Sequence, residues 1–182
     1  MEVLEQAGLS RAGSPHRGGR LFRDSVRTKC AVCHKVAGEG GAVGPDLSAI
    51  GGKFDRPHLI ESLLEPSRQI VEGYRATTIV THDGEVLTGI VRQESAERIV
   101  LVDAEDRRRE LPPELVAERR DSPLSLMPTG LADALSLDEF ADLVAYLESL
   151  RSAASSPGEA TRGPVQLHAG FELRTVATSL SG

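Results

Sequence analysis

The chain contains no tryptophan, and aromatic residues make up only 3% of its 182 positions. A core built from side chains alone would have to be aliphatic. Cysteine is nearly absent too. Cys30 and Cys33 are the only two, which excludes a four-cysteine zinc site. Methionine occurs twice, as Met1 and Met127. No stretch approaches the roughly 20 apolar residues that cross a bilayer as a helix, so no transmembrane segment is expected in this chain. The formal net charge of −6 lacks the basic excess that a nucleic-acid partner requires. The length allows one domain of ordinary size or two small ones.

The informative stretch is 30–34, Cys30, Ala31, Val32, Cys33 and His34. A C-x-x-C-H run is the attachment signature of c-type haem. Two thiols three positions apart on a helical turn can each add across one haem vinyl group. The histidine that follows then turns its imidazole to the iron as the proximal ligand. Two other readings compete, a thiol–disulfide pair and half of a mixed zinc site. The first should follow a strand in a βαβ unit, whereas this run follows a helical stretch and leads into a glycine-rich loop. The second needs histidines at ligand spacing, and His16, His58, His82 and His168 stand scattered.

Ser14 and Pro15 read as a helix cap and first helical position. From there to about Lys29, the residues Leu21, Phe22 and Val26 share one helical face. A second helix is expected from Asp55, carrying Leu59, Ile60, Leu63 and Leu64 and ended by Glu65 and Pro66. Stretches 74–80, 85–91 and 98–102 are then rich in Val, Ile and Thr, with Asp83 and Gly84 as a hairpin turn and 107–111 as a further short strand. A last helix starts at the capping box of Ser136 and Glu139 and buries Leu137, Phe140, Leu143, Val144, Leu147 and Leu150. The expected organisation is a disordered segment 1–13, a domain 14–151 with a β insertion at about 73–112, a linker 152–164, and a tail or the start of a further domain at 165–182.

An iron held by one histidine needs a sixth ligand or an open position. Met127, on a loop with Pro128 and Gly130, is the candidate thioether; the competing role for it is ordinary packing. His16, His58 and His82 remain alternatives. If the position stays open, a five-coordinate haem would sense or bind a small gas. The loop 38–47 is rich in glycine, which lets backbone approach closely. One of its carbonyls, expected to be that of Pro45, would accept the Nδ1–H of His34 and set its tautomer.

These features together resemble a known family. Residues 18–150 are similar to the haem-binding domain found at the ends of large multidomain proteins of Planctomycetes and Verrucomicrobia, a branch of the class I cytochrome c fold. The matching stretches are 30–34, 44–47, 65–67 with Gly73 and Tyr74, the hairpin at Asp83 and Gly84, 125–131, and 142–147. Gly18, Phe22 and Tyr146 correspond to the helix-crossing residues of the wider family. The turn after Asp103, usually glycine-bearing there, reads Ala104, Glu105 and Asp106. The resemblance implies a mainly α, class I cytochrome c-like fold around haem, with a small antiparallel β subdomain inserted. It implies one haem c tethered by Cys30 and Cys33 and ligated by His34 and Met127. The role implied is one-electron transfer with a partner protein or dehydrogenase domain, not catalysis. The first residues show no secretory signal, so the chain is expected either to be cut from a longer exported precursor or to have its true start elsewhere, with a periplasmic or otherwise exported location in a bacterium.

Overall fold

Pro15 occupies the first turn of a helix whose cap, Ser14, accepts a hydrogen bond from the Arg17 amide at 3.4 Å. That helix organises the fold. The computed structural model describes residues 1–151. In chain order these form α1 (Glu2–Ser10), α2 (Pro15–Phe22), α3 (Cys30–Cys33), β1 (Lys35–Val36), β2 (Glu39–Gly40), α4 (Ile50–Lys53) and α5 (Arg56–Leu64). Then come β3 (Ala76–Thr81), β4 (Val86–Glu94), β5 (Ile99–Val102), β6 (Arg108–Leu111), β7 (Val116–Asp121) and α6 (Leu137–Ser149). The expected linker 152–164 and segment 165–182 lie outside the described residues.

α2 and α6 cross with their backbones in contact. A Cβ at Gly18 would overlap the Asp142 carbonyl, so only glycine permits the approach. One turn further, Phe22 meets Tyr146 with ring centroids 5.5 Å apart and planes tilted by 51°. The contact is also locked electrostatically. Asp142 is 2% exposed, and its carboxylate accepts from the Ser14 amide at 2.6 Å and from Arg17 Nε and Nη2 at 2.6 and 2.9 Å. A buried carboxylate is tolerated only with such partners. Around the crossing, Leu21, Leu59, Ile60, Leu63, Phe140, Leu143, Val144 and Leu147 form one aliphatic-rich core.

The structure corrects the expectation for residues 1–13. They are not a disordered lead-in, because α1 docks on α5 and α6. Ala7 is buried, and a Cβ on Gly8 would stand 2.8 Å from Phe140 and 2.9 Å from Ile60. Arg56 of α5 clasps the segment, donating to the Gly8 and Arg11 carbonyls at 2.7 and 2.6 Å while pairing with Glu148 at 2.6 Å. The signal missed was tertiary, since α1 has no side-chain cap of its own. α2 is also shorter than its apolar spacing suggests. It ends at Phe22, and Val26 is 79% exposed.

The insertion is larger than 73–112. It is a five-stranded antiparallel sheet in the order β6-β5-β4-β3-β7, and the edge strand β7 carries it on to Asp121. β7 reads Val-Ala-Glu-Arg-Arg-Asp and is mostly exposed, so it lacks the alternation that marks a half-buried strand. Helix still exceeds strand, at 33% against 22%, so the mainly α expectation holds only in part beside a sheet of this size. Ile79, Ile99, Leu101 and Leu111 give the sheet a small core of its own. Gly84, at φ 88°, makes the β3–β4 turn. The glycine missing after Asp103 is replaced by Asp106 at φ 61°, with the Asp103 carboxylate accepting from the Glu105 and Arg107 amides at 3.0 and 2.8 Å.

α6 begins with the full capping box. Ser136 Oγ accepts from the Glu139 amide at 3.3 Å, and Glu139 accepts from the Ser136 amide at 2.9 Å. Arg27 pairs with the same carboxylate at 2.8 Å. Together these hydrogen bonds, the Arg27 contact foremost, lower the Glu139 pKa to about 2 from 4.5. A carboxyl depressed on folding stabilises the protein above its unfolded pKa, and that contribution disappears as pH falls from 4.5 toward 2. Glu139→Gln keeps the amide acceptor without the charge. Urea unfolding between pH 4.5 and 2 should therefore show a shallower loss of stability for the variant than for the parent, and identical slopes would contradict the assignment.

Candidate functional site

The path from α2 into residues 30–34 is a turn held by two polar side chains. Asp24 accepts from the Val26 and Arg27 amides, both at 2.9 Å. Thr28, 1% exposed, donates its hydroxyl back to the Leu21 carbonyl. Lys29 then takes the left-handed region at φ 54° and starts the single turn of α3. The turn is closed by the His34 amide, which donates to the Cys30 carbonyl at 2.9 Å. Both cysteines are free thiols. Cys30 packs on the main core together with Ala31, while Val32 between the cysteines is 49% exposed.

A loop then folds back over this turn. β1 and β2 reverse the chain, after which the Gly41 amide donates to the Ala31 carbonyl at 2.9 Å and the Gly44 amide to the Cys33 carbonyl at 2.8 Å. Two carbonyls that a one-turn helix would leave unpaired are satisfied this way. A Cβ on Gly41 would overlap the Val32 carbonyl, and one on Gly44 would stand 2.5 Å from His34 Cε1 and 2.7 Å from Nδ1. The loop backbone thus lies against the imidazole itself. His34 Nδ1 sits 2.9 Å from the Pro45 carbonyl oxygen. A carbonyl only accepts, so Nδ1 carries the proton and the Nε2 lone pair is left free to bind an electrophile.

Burial sets the protonation states. It lowers the His34 pKa, against the opposing effect of the Pro45 hydrogen bond, so the ring is held neutral. It raises both thiols, and the Asp106 carboxylate raises Cys33 further. A thiol–disulfide enzyme needs the opposite, a thiolate stabilised near neutrality. Among the described residues, no three His, Cys, Asp or Glu side chains converge as a metal-binding group.

Met127 lies on the loop between β7 and α6, half-buried against the same core that receives Cys30. The loop is pinned by the Ser125 amide, which donates to Ser67 Oγ at 3.0 Å, and by the Met127 amide, which donates to Ser125 Oγ at 3.1 Å. A cavity of about 790 Å³ opens beside this loop, lined by Leu63, Leu64, Leu124, Thr129, Gly130 and Ala132 among others. The other histidines are placed differently. His16 is exposed beside Arg20, His82 is exposed on the β3–β4 hairpin, and His58 stacks on Phe54 at 4.2 Å. His168 lies outside the described residues.

One residue at the site went unnoticed in the sequence. Arg92 of β4 donates through Nη2 to the Ala42 and Val43 carbonyls at 2.8 and 2.6 Å. No local pattern marks an arginine fifty residues away as a partner of this loop.

Residues 16–81 match the family model for cytochrome c. The match spans α2, the two cysteines, His34 and Pro45, and ends at the close of β3, short of Met127. No curated protein matches the chain.

The close contact at Gly44 makes a direct test of the loop geometry. Gly44→Ala should destabilise the protein by about 1–3 kcal/mol through overpacking. Gly52→Ala meets nothing within 4 Å and should be neutral or stabilising by up to about 1 kcal/mol. Urea titrations of the two variants measure both.

Proposed function

We propose that residues 14–151 form a mono-haem c-type cytochrome domain that passes single electrons and catalyses no reaction of its own. Cys30 and Cys33 would hold the haem through thioether bonds, His34 would bind the iron through Nε2, and Met127 would take the sixth position. The observation that carries this reading is His34 held neutral with Nδ1 on the Pro45 carbonyl, directly after the paired thiols. The donor set fits the group: two unpaired thiols for two vinyl positions, a bare imidazole nitrogen, and a glycine cradle that a Cβ would fill.

When bound, the haem supplies a reversible ferric–ferrous couple. The protein's part is to orient and to exclude. Pro45 fixes the imidazole tautomer and makes it a stronger donor. The aliphatic core shields the ligand from water on the side where Cys30 packs. The Met127 thioether, a soft donor, favours the reduced iron. Were His34 and Met127 both to bind the iron, no position on it would be left for substrate.

The family match supports the haem-binding and electron-transfer class. We further infer the branch seen in Planctomycetes and Verrucomicrobia, a dehydrogenase as redox partner, and an exported or periplasmic location. These rest on the sequence resemblance and on the chemistry of haem attachment.

Produced with a haem-maturation system, the protein should keep its haem through denaturing electrophoresis, and Cys30→Ala with Cys33→Ala should abolish that retention. Haem that stays on the double variant would refute the thioether assignment. Met127→Ala should lower the reduction potential and admit carbon monoxide or cyanide to an open iron. Unchanged potential, spin state and ligand access would make Met127 a packing residue and leave a histidine as the sixth ligand.

A further inference from the structure

Among the hydrogen bonds of the described residues, Arg92 ties the β insertion to the site loop. In the pairing of β4 with β5, Val91 faces Leu101 and Gln93 faces Val100, so Arg92 is the extra residue of a β-bulge. A bulge turns a side chain out of the regular alternation, and bulges are frequent beside functional sites for that reason. Here the side chain leaves the sheet and reaches residues 42 and 43, donating from one nitrogen to two successive carbonyls. Its guanidinium lies over the Tyr74 ring, 4.6 Å from the centroid, which limits the orientations open to it.

The two carbonyls it holds immediately precede Gly44 and Pro45. Val43 is 3% exposed, so this is an anchored stretch of loop. The Gly44 amide is tied to the Cys33 carbonyl at 2.8 Å, and the Pro45 carbonyl is the acceptor for His34 Nδ1. The loop is therefore fastened from both sides: to α3 by its own amides and to the sheet by Arg92. We propose that Arg92 is a positioning residue for His34, holding the Pro45 carbonyl in line with Nδ1–H and so coupling the β insertion to the imidazole ligand. A decorative surface arginine would need neither a bulge to aim it nor an aromatic ring to flatten it. The proposal rests on His34 being the proximal ligand.

The test reads the hydrogen bond directly. In the ferrous, haem-loaded protein, proton NMR follows exchange of His34 Nδ1–H with solvent. Arg92→Ala should accelerate that exchange at least tenfold, and Arg92→Lys, which retains a cationic donor, should fall between it and the parent. Arg119→Ala, which removes a surface ion pair with Glu94 in the same sheet, should leave the rate within twofold. The proposal is overturned if Arg92→Ala exchanges at the parental rate, or if Arg119→Ala accelerates exchange as much. Should the alanine variant fail to fold, an Arg92→Lys rate equal to the parent's overturns it alone. Failure of the haem reading looks different, because then the parent itself would retain no haem under denaturing electrophoresis.

Discussion

The backbone contact between α2 and α6 at Gly18 is the constraint on which the other features depend. It permits Phe22 to reach Tyr146 and brings Asp142 within range of Ser14 and Arg17. Both ends of the candidate site are measured from it. The turn carrying Cys30 follows α2 after seven connecting residues, and the loop carrying Met127 runs directly into the cap of α6. If the helices stood apart by even one methyl group, the two loops would lose their common core. The buried Asp142 carboxylate adds specificity to the contact: it must find Arg17 and the Ser14 amide, so sliding one helix along the other would strand a buried charge.

From that crossing outward, the site is built mostly of main chain. Amides of Gly41 and Gly44 cap α3, the Pro45 carbonyl holds His34, and Thr28 returns to Leu21. A binding site made of backbone is rigid because each group has one partner and little freedom. It also tolerates few residue types, since Cβ atoms at 41 and 44 would collide with the turn they cover. This geometry explains why glycines crowd this stretch, where composition alone suggests flexibility. Gly40, Gly41 and Gly44 bring the chain close, and the result is a tight loop.

The sheet stands in a different relation to the site. It has its own small aliphatic cluster, and Arg92 ties it to the loop at residues 42 and 43. Its charged edge strand, with Glu118, Arg119 and Arg120 turned to solvent, protects the open edge from pairing with other chains.

Much of this was legible in the residues. The spacing of Cys30, Cys33 and His34 depends on one helical turn, and a turn is a local object. The caps at Ser14, Asp55 and Ser136 and the hairpin at Gly84 are local too, and the structure has each of them at its expected position. Helix α1, strand β7 and Arg92 were not legible, for a shared reason. α1 has weak caps and is held by Arg56 and Phe140, β7 has no apolar face and is held by pairing with β3, and Arg92 acts on a loop fifty residues before it. The sequence by itself determined the chemistry on offer, two thiols and an imidazole in fixed succession, because covalent geometry and local hydrogen bonding decide it. Only the tertiary structure decided which core and which distant arginine stand behind that imidazole and its loop, because those partners are chosen by packing between segments far apart in the chain.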